Sequence, residues 1–496
     1  MDEKGQIIKD VTLYSGSSYT AKFLSLVQGI IVARLLGPSL YGILRGFWVI
    51  LNYVHYSHFG LLQAMSREIP YYQGKKDNTK AREITNTVFG TSVLFVGIAS
   101  FILFLISFFL KSKYSMSVVT GVRIVALLVI FQHIYWFYMR LLEANKKFFL
   151  ISKTVILFAV LSFVFTIFLA IFYKLYGVLV ALLITYILTI GYILKSSNYQ
   201  VNFRISFSKC FPLIKIGFPI VVVGLTWIML ISIDQIMILR LLGKAKLGYY
   251  GIGIMISGLL LYIPDIIART MYPRLLEKYG DKKDVAYLRK YLATPTLVLA
   301  YLVPVIVGIV FMLMPLLITY ILPRYSPGLT AAKVLIIGTF FLSLYYVPSI
   351  FLISIREQNK VIKSQIICVC IAMGLNYLFI RLGFGITGVA LATGITYLIY
   401  TTIVLSFAFC HYLKTRWQFL KFFTQTYAPL LYVLFICLGL ERLVATYGNT
   451  SWNEIYTYTI KITMFLILSL PLIYYINRKT EVLRMIFRLR GENGRR

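Results

Sequence analysis

Residues 84–110 read ITNTVFGTSVLFVGIASFILFLISFFL, without one charged side chain. A helix needs about 20 apolar residues to cross roughly 30 Å of hydrocarbon, and this stretch exceeds that. It is one of a series. Of 496 residues, 59% are hydrophobic and 14% charged, whereas a soluble domain carries about 25% charged residues. The pattern predicts an all-α membrane protein of about 14 transmembrane helices. Their approximate spans are 12–36, 40–65, 84–110, 117–142, 149–172, 175–195, 212–240, 247–270, 290–320, 329–355, 361–381, 385–412, 422–442 and 454–476. Pro295, Pro304 and Pro315 each remove a backbone donor, so a kink is expected in the ninth.

The formal net charge is +33. In a soluble chain that would suggest nucleic acid as partner; here the cations sit in short loops between apolar blocks, where the positive-inside rule places them. Arg67, Lys75, Lys76, Lys80 and Arg82 fill one loop. Arg269, Arg274, Lys278, Lys282, Lys283, Arg289 and Lys290 fill another. The alternate loops hold little: Lys174, Arg324, Arg381. The alternation predicts a multi-pass protein of the cell (cytoplasmic/inner) membrane with both termini cytoplasmic. The first apolar block, Val11–Leu36, is too long for a signal h-region and lacks a cleavage site, so it reads as a span. The five cysteines lack metal-site spacing and read as reduced thiols.

The chain also repeats itself. Arg34-Leu-Leu-Gly37 recurs as Arg240-Leu-Leu-Gly243, and Glu143-Ala-Asn-Lys146 as Glu357-Gln-Asn-Lys360. Gly177-Val178, Ala181 and Ile184-Thr185-Tyr186 recur as Gly388-Val389, Ala392 and Ile395-Thr396-Tyr397. Matches in one order, roughly 210 residues apart, describe a parallel repeat. The expected organisation is two parallel six-helix lobes, 1–200 (spans 1–6) and 201–415 (spans 7–12). Two C-terminal helices in 416–480 and a basic tail, 481–496, complete it.

The run Ala33-Arg-Leu-Leu-Gly-Pro-Ser-Leu-Tyr-Gly42 and Arg67-Glu-Ile-Pro70, with its Gly74-Lys-Lys-Asp77 loop, resemble the signature of polysaccharide flippases. These belong to the multidrug/oligosaccharidyl-lipid/polysaccharide exporter superfamily, and the 6+6+2 layout resembles its O-antigen-type branch. The resemblance implies export of an isoprenoid-diphosphate-linked oligosaccharide by alternating access, with membrane lipids, a polysaccharide polymerase and glycosyltransferases as partners. Alternatives are a lipid II flippase, a cation-coupled multidrug exporter and, from a different class, a membrane glycosyltransferase or polymerase.

Charges within the hydrocarbon are costly and mark candidate sites. Lys22 lies near the middle of span 1, Arg34 and Arg240 near the outer ends of spans 1 and 7, Arg45 in span 2 and Arg123 in span 4. Together they are the expected substrate-binding cations, since lysine and arginine suit a diphosphate. The same side chains could instead anchor helix ends or snorkel. Asp234 is the one acid well inside a span, a candidate for ion coupling or for partnering Lys22 or Arg45. His55 and His58 lie one turn apart, with hydrogen bonding or a proton response open to them; His133 reads as structural. No metal site or cofactor is expected. Gly383-Phe-Gly-Ile-Thr-Gly388 joins two spans and follows no strand, which rules out dinucleotide binding. With no Walker A run and no nucleophile–base arrangement, the chain does not read as an enzyme. Cysteines replacing Lys76, Lys282 and Arg490 should react with an impermeant thiol reagent only from the cytoplasm. Those replacing Lys113 and Arg324 should react only from outside, and outside labelling at Lys282 would break the topology.

Overall fold

The computed structural model describes residues 3–112, 114–197, 199, 201–282, 285–447 and 454–480. Lys113, Lys283, Asp284 and the basic tail 481–496 lie outside the described residues. Among those described there are helices and turns and no strand, as a lipid environment requires of a chain that cannot close a barrel. The chain divides into two compact units, Met1–Gly251 and Ile252–Arg496.

The first unit contains α1 (Glu3–Val54), α2 (Leu61–Gly74), α3 (Asn78–Leu110), α4 (Met116–Ala144), α5 (Phe148–Ser197) and α6 (Phe207–Leu241). It also takes in the start of α7 (Lys244–Leu260). Two of these helices are broken. In α1, Gly37 adopts φ 71°, ψ 171° just before Pro38. In α5, Lys174 adopts φ 50°, ψ −122°. The breaks fall where the charge and proline pattern separates spans 1 from 2 and 5 from 6. Twelve stretches among the described residues are long and apolar enough to cross a membrane, rather than fourteen, and the two longest contain these breaks. Within the unit, α1 packs along α5, α3 and α5 flank α4, and α2 and α6 pack together.

Glycines set the closest approaches. A Cβ on Gly42 would fall 1.8 Å from the Lys244 carbonyl oxygen, and one on Gly248 1.9 Å from that of Pro38. The Gly42–Gly46 pair therefore seats α1 against the start of α7 and, through Leu239, against α6. Gly60 (φ 91°) and Gly217 meet in the same way, each leaving no room for a Cβ on the other.

The second unit contains α8 (Tyr262–Lys282), α9 (Arg289–Leu316), α10 (Leu329–Ser354), α11 (Gln358–Arg381), α12 (Gly385–Phe409), α13 (Arg416–Tyr447) and α14 (Glu454–Thr480). Its core is α10, packed on α12, α9 and α8; α9 in turn carries α13 and α14. Helix α9 runs on through Pro295 and Pro304. The irregularity comes only after Pro315, as a π turn at Leu317–Ile321. Pro315 supplies no N–H for the carbonyl one turn back, and the wider turn absorbs the mismatch.

Several turns have counterparts in the two halves. Gly37 and Gly243, Lys146 and Arg356, and Lys174 and Gly385 all hold positive φ. The Lys146 and Arg356 turns correspond in geometry, each closing a helix just before the next begins. That places the Glu143–Lys146 and Glu357–Lys360 match four residues out of structural register. The Gly74-Lys-Lys-Asp77 motif is likewise a turn: Lys76 takes φ 60°, and Asp77 accepts the Lys80 amide at 3.0 Å to cap α3. Bonds from Thr79 and from the Lys80 amide hold the Asp77 carboxyl below the usual carboxylate range. Gly217→Val should lower the melting temperature of the detergent-solubilised protein clearly below that of Gly191→Val. A Cβ on Gly191 meets nothing within 4 Å. Equal melting temperatures would show that the Gly60–Gly217 contact does not constrain the fold.

Candidate functional site

The second arm of α1 carries Tyr41, Arg45 and Tyr53, and it faces the C-terminal half of α6 along a polar seam. Tyr53 Oη and Ser232 Oγ are 2.9 Å apart. An Arg45 Nη donates to Gln235 Oε1 at 3.4 Å. Arg45 Nε is buried and has no hydrogen-bond partner among the described residues. Asp234 is 3% exposed, the one carboxylate among the buried residues described. Its Oδ2 accepts the Tyr250 hydroxyl at 2.7 Å, and its Oδ1 accepts the Gln235 amide at 2.7 Å. The Arg45 guanidinium acts on it electrostatically. Gly251 leaves room for this arrangement: a Cβ there would stand 2.9 Å from the Tyr41 ring and 3.1 Å from Arg45 Cγ.

Of the two cations expected near Asp234, Arg45 is the one that bonds to its sequence neighbour Gln235. Tyr250 and Gln235 were not legible as site residues, because a tyrosine and a glutamine in a span carry no distinctive signal. Lys22 is half-buried in the first arm of α1. Arg34 and Arg240 are exposed, outside the seam. Arg123 lies elsewhere: its Nε donates to Ser107 Oγ at 3.1 Å, and its guanidinium lies 4.8 Å from the Phe108 ring centroid. Phe108 and Phe104 are exposed, and half-buried Arg123 lies against them.

A second cluster sits where α1 ends. His55–His58 form a 3-10 turn before Phe59 and Gly60, both at positive φ. His133 of α4, read from sequence as structural, joins them. Ring centroids are 5.3 Å apart for His55 and His58, 5.6 Å for His58 and His133, and 6.2 Å for His55 and His133. Three of the chain's four histidines thus meet. The Gly60 amide donates to His58 Nδ1 at 3.1 Å, so in the neutral ring the proton lies on Nε2. That nitrogen has no free lone pair for a metal, and among the described residues no group of three ligating side chains could hold one. His133 Nε2 and Ser92 Oγ are 2.8 Å apart, tying α4 to α3. The cluster braces the turn between α1 and α2.

In the second unit Lys333 and Glu441 form a 2.6 Å ion pair, with Lys333 also 4.5 Å from the Phe311 ring centroid. Both residues lie near span ends in sequence, and only the packing of α10 beside α13 reveals them as a pair.

Residues 31–325 match the family model described as polysaccharide biosynthesis protein. The chain belongs to this polysaccharide biosynthesis family. No curated protein sequence matches it. Among solved structures, the lipid II flippase MurJ in an inward closed conformation superposes with a TM-score of 0.69 at 18% identity, covering 94% of this chain and 99% of that one. An inward-facing MATE family multidrug resistance transporter of the MOP superfamily gives 0.63 at 16% identity, covering 82% and 96%. A MOP superfamily transporter from Pyrococcus furiosus, described as having a binding pocket of reversed polarity, gives 0.53 at 15%, covering 84% and 94%. The fold of this polysaccharide biosynthesis family member is therefore that of the MOP superfamily.

Tyr250→Phe removes the hydroxyl bonded to buried Asp234. It should destabilise the protein by about 1.5–3 kcal/mol, read as a lower melting temperature in detergent, while Arg240→Gln should leave melting unchanged. Unchanged melting of Tyr250→Phe would mean that the carboxylate does not depend on that bond.

Proposed function

We propose that this chain is a flippase that moves an isoprenoid-diphosphate-linked oligosaccharide from the cytoplasmic to the outer leaflet by alternating access, within polysaccharide biosynthesis. The observation that carries the reading is the charge balance: 50 lysines and arginines stand against 17 acids, and Asp234 is the one buried carboxylate among the described residues. A diphosphate carries two or so negative charges, and guanidinium and ammonium groups are its natural partners in a low-dielectric site. Arg45 fits that role best, with donor capacity that Gln235 does not exhaust. Lys22, Arg34 and Arg240 are the further cations of the proposed chamber, and Asp234 holds Arg45 in place. Arg123 fits the role least, given its aromatic contacts. The repeat supports reading spans 1–6 and 7–12 as two like-oriented lobes followed by two extra helices. The membrane is the cytoplasmic one by the loop-charge rule, and polymerase and glycosyltransferases are the expected partners.

Lipid II itself is the second reading, favoured by the MurJ superposition at TM-score 0.69. A cationic-drug exporter would need acidic walls, which the charge balance disfavours.

Reconstituted protein should flip a polyprenyl-diphosphate oligosaccharide, and Lys22→Ala or Arg45→Ala should cut that activity. Losing a charge-assisted contact of about 1.5–3 kcal/mol weakens binding roughly 10- to 150-fold. Lys22→Arg should retain part of the activity. Wild-type flipping by both alanine variants would refute a cationic chamber built on these residues.

A further inference from the structure

A cavity of about 450 Å³ opens at the turn between α4 and α5, bounded by Lys146, Lys147, Lys153, Phe149, Tyr192 and Ser196 among others. The break at Lys174 explains its walls, because it folds α5 back so that the helix's first and last turns share one cavity. Three ammonium groups gather there. The nearest acid in sequence, Glu143, is engaged by Arg140 at 2.7 Å. Lys147 reaches the Ser197 carbonyl at 3.4 Å and lies 4.3 Å from the Tyr199 ring centroid. Lys153 lies 4.3 Å from that of Phe149. Neither contact supplies a negative charge. Phe148, Phe149 and Leu150 of the first turn of α5 also border it, and helix N-termini favour anions.

The corresponding turn in the second half carries an acid that this one lacks. Arg356 holds the same left-handed backbone as Lys146, but Glu357 follows it where Lys147 stands in the first half. Glu357 binds Lys360 at 2.9 Å and His411 at 3.3 Å. Burial opposes ionisation of Glu357, yet these bonds outweigh it and hold its carboxyl below the usual range. The second-half turn thus has a carboxylate set among its cations, and the first-half turn has a lysine in its place.

Below the lysines the surface turns apolar. Phe149, Ile156, Val160 and Val164 are exposed along one face of α5, with Lys153 in the same row. Leu194 is exposed on the returning arm. A cationic cavity above a lipid-facing apolar stripe matches an amphiphile with an anionic head.

We propose that this cavity binds the phosphate group of an anionic phospholipid of the cation-rich leaflet, with the acyl chains along the exposed face of α5. The site is separate from the Arg45 seam and does not depend on which cargo the chain moves.

The test uses the full chain in phosphatidylcholine nanodiscs carrying spin-labelled phosphatidylglycerol, with the motionally restricted fraction read by electron paramagnetic resonance. Wild type should retain phosphatidylglycerol over a spin-labelled phosphatidylcholine. The Lys147→Gln/Lys153→Gln double variant should weaken that preference about tenfold or more. Lys363→Gln, an exposed cation outside the cavity, should not. An unchanged melting temperature in the double variant separates lost binding from lost fold. Equal retention of phosphatidylglycerol by wild type and double variant would overturn the site. Displacement of the labelled lipid by millimolar inorganic phosphate, to the same extent as by unlabelled phosphatidylglycerol, would overturn the lipid assignment.

Discussion

Hydrocarbon offers no hydrogen bond to a backbone amide, so every peptide group in a span must be satisfied within its own helix or by a neighbour. The rest of the structure depends on that constraint. It makes the chain helical and makes each departure from helix costly. The departures occur where something else takes up the strain: Gly37 before Pro38, the His55–His58 turn closed by Gly60, and the turn at Lys174. At the second of these, the close meeting of Gly60 with Gly217 and the histidine cluster hold the irregular turn in place.

The same solvent makes charge rare and therefore informative. Arg45, Gln235, Asp234 and Tyr250 form a connected polar group inside an otherwise apolar helix contact. Each member alone would be a liability in hydrocarbon, and together they satisfy most of one another's polar atoms. Arg123 shows the opposite solution, a cation placed among exposed aromatic rings at a helix surface. Lys333 and Glu441 show a third, direct pairing across two helices.

Membership of a polysaccharide biosynthesis family and a MOP superfamily fold do not by themselves say how cargo is recognised. The scarcity of buried acid and the unpartnered Nε of Arg45 are what favour the proposed anionic cargo. The cationic cavity at the α4–α5 turn is lined by residues that take no part in the Arg45 seam.

The sequence by itself determined the class of protein, the alternation of cation-rich loops and the positions of Lys22, Arg45 and Asp234 as charges in spans. These follow from composition and helix rise, which are local properties. It also marked Gly37, Lys174 and Gly243 as breaks, since a glycine or a charge between apolar runs disrupts a span wherever it folds. Tertiary structure alone decided which charge faced which. Arg45 and Gln235 are far apart in sequence, and only the meeting of α1 with α6 brings Arg45 to the residue next to Asp234. His133 gave no sign of joining His55 and His58, because a lone histidine in a span looks the same whether it packs or pairs. Arg123 looked in sequence like the other cations within spans, and only the structure shows Phe104 and Phe108 around it. Pairing across helices is a property of packing, and a single sequence records the residues without recording which faces meet.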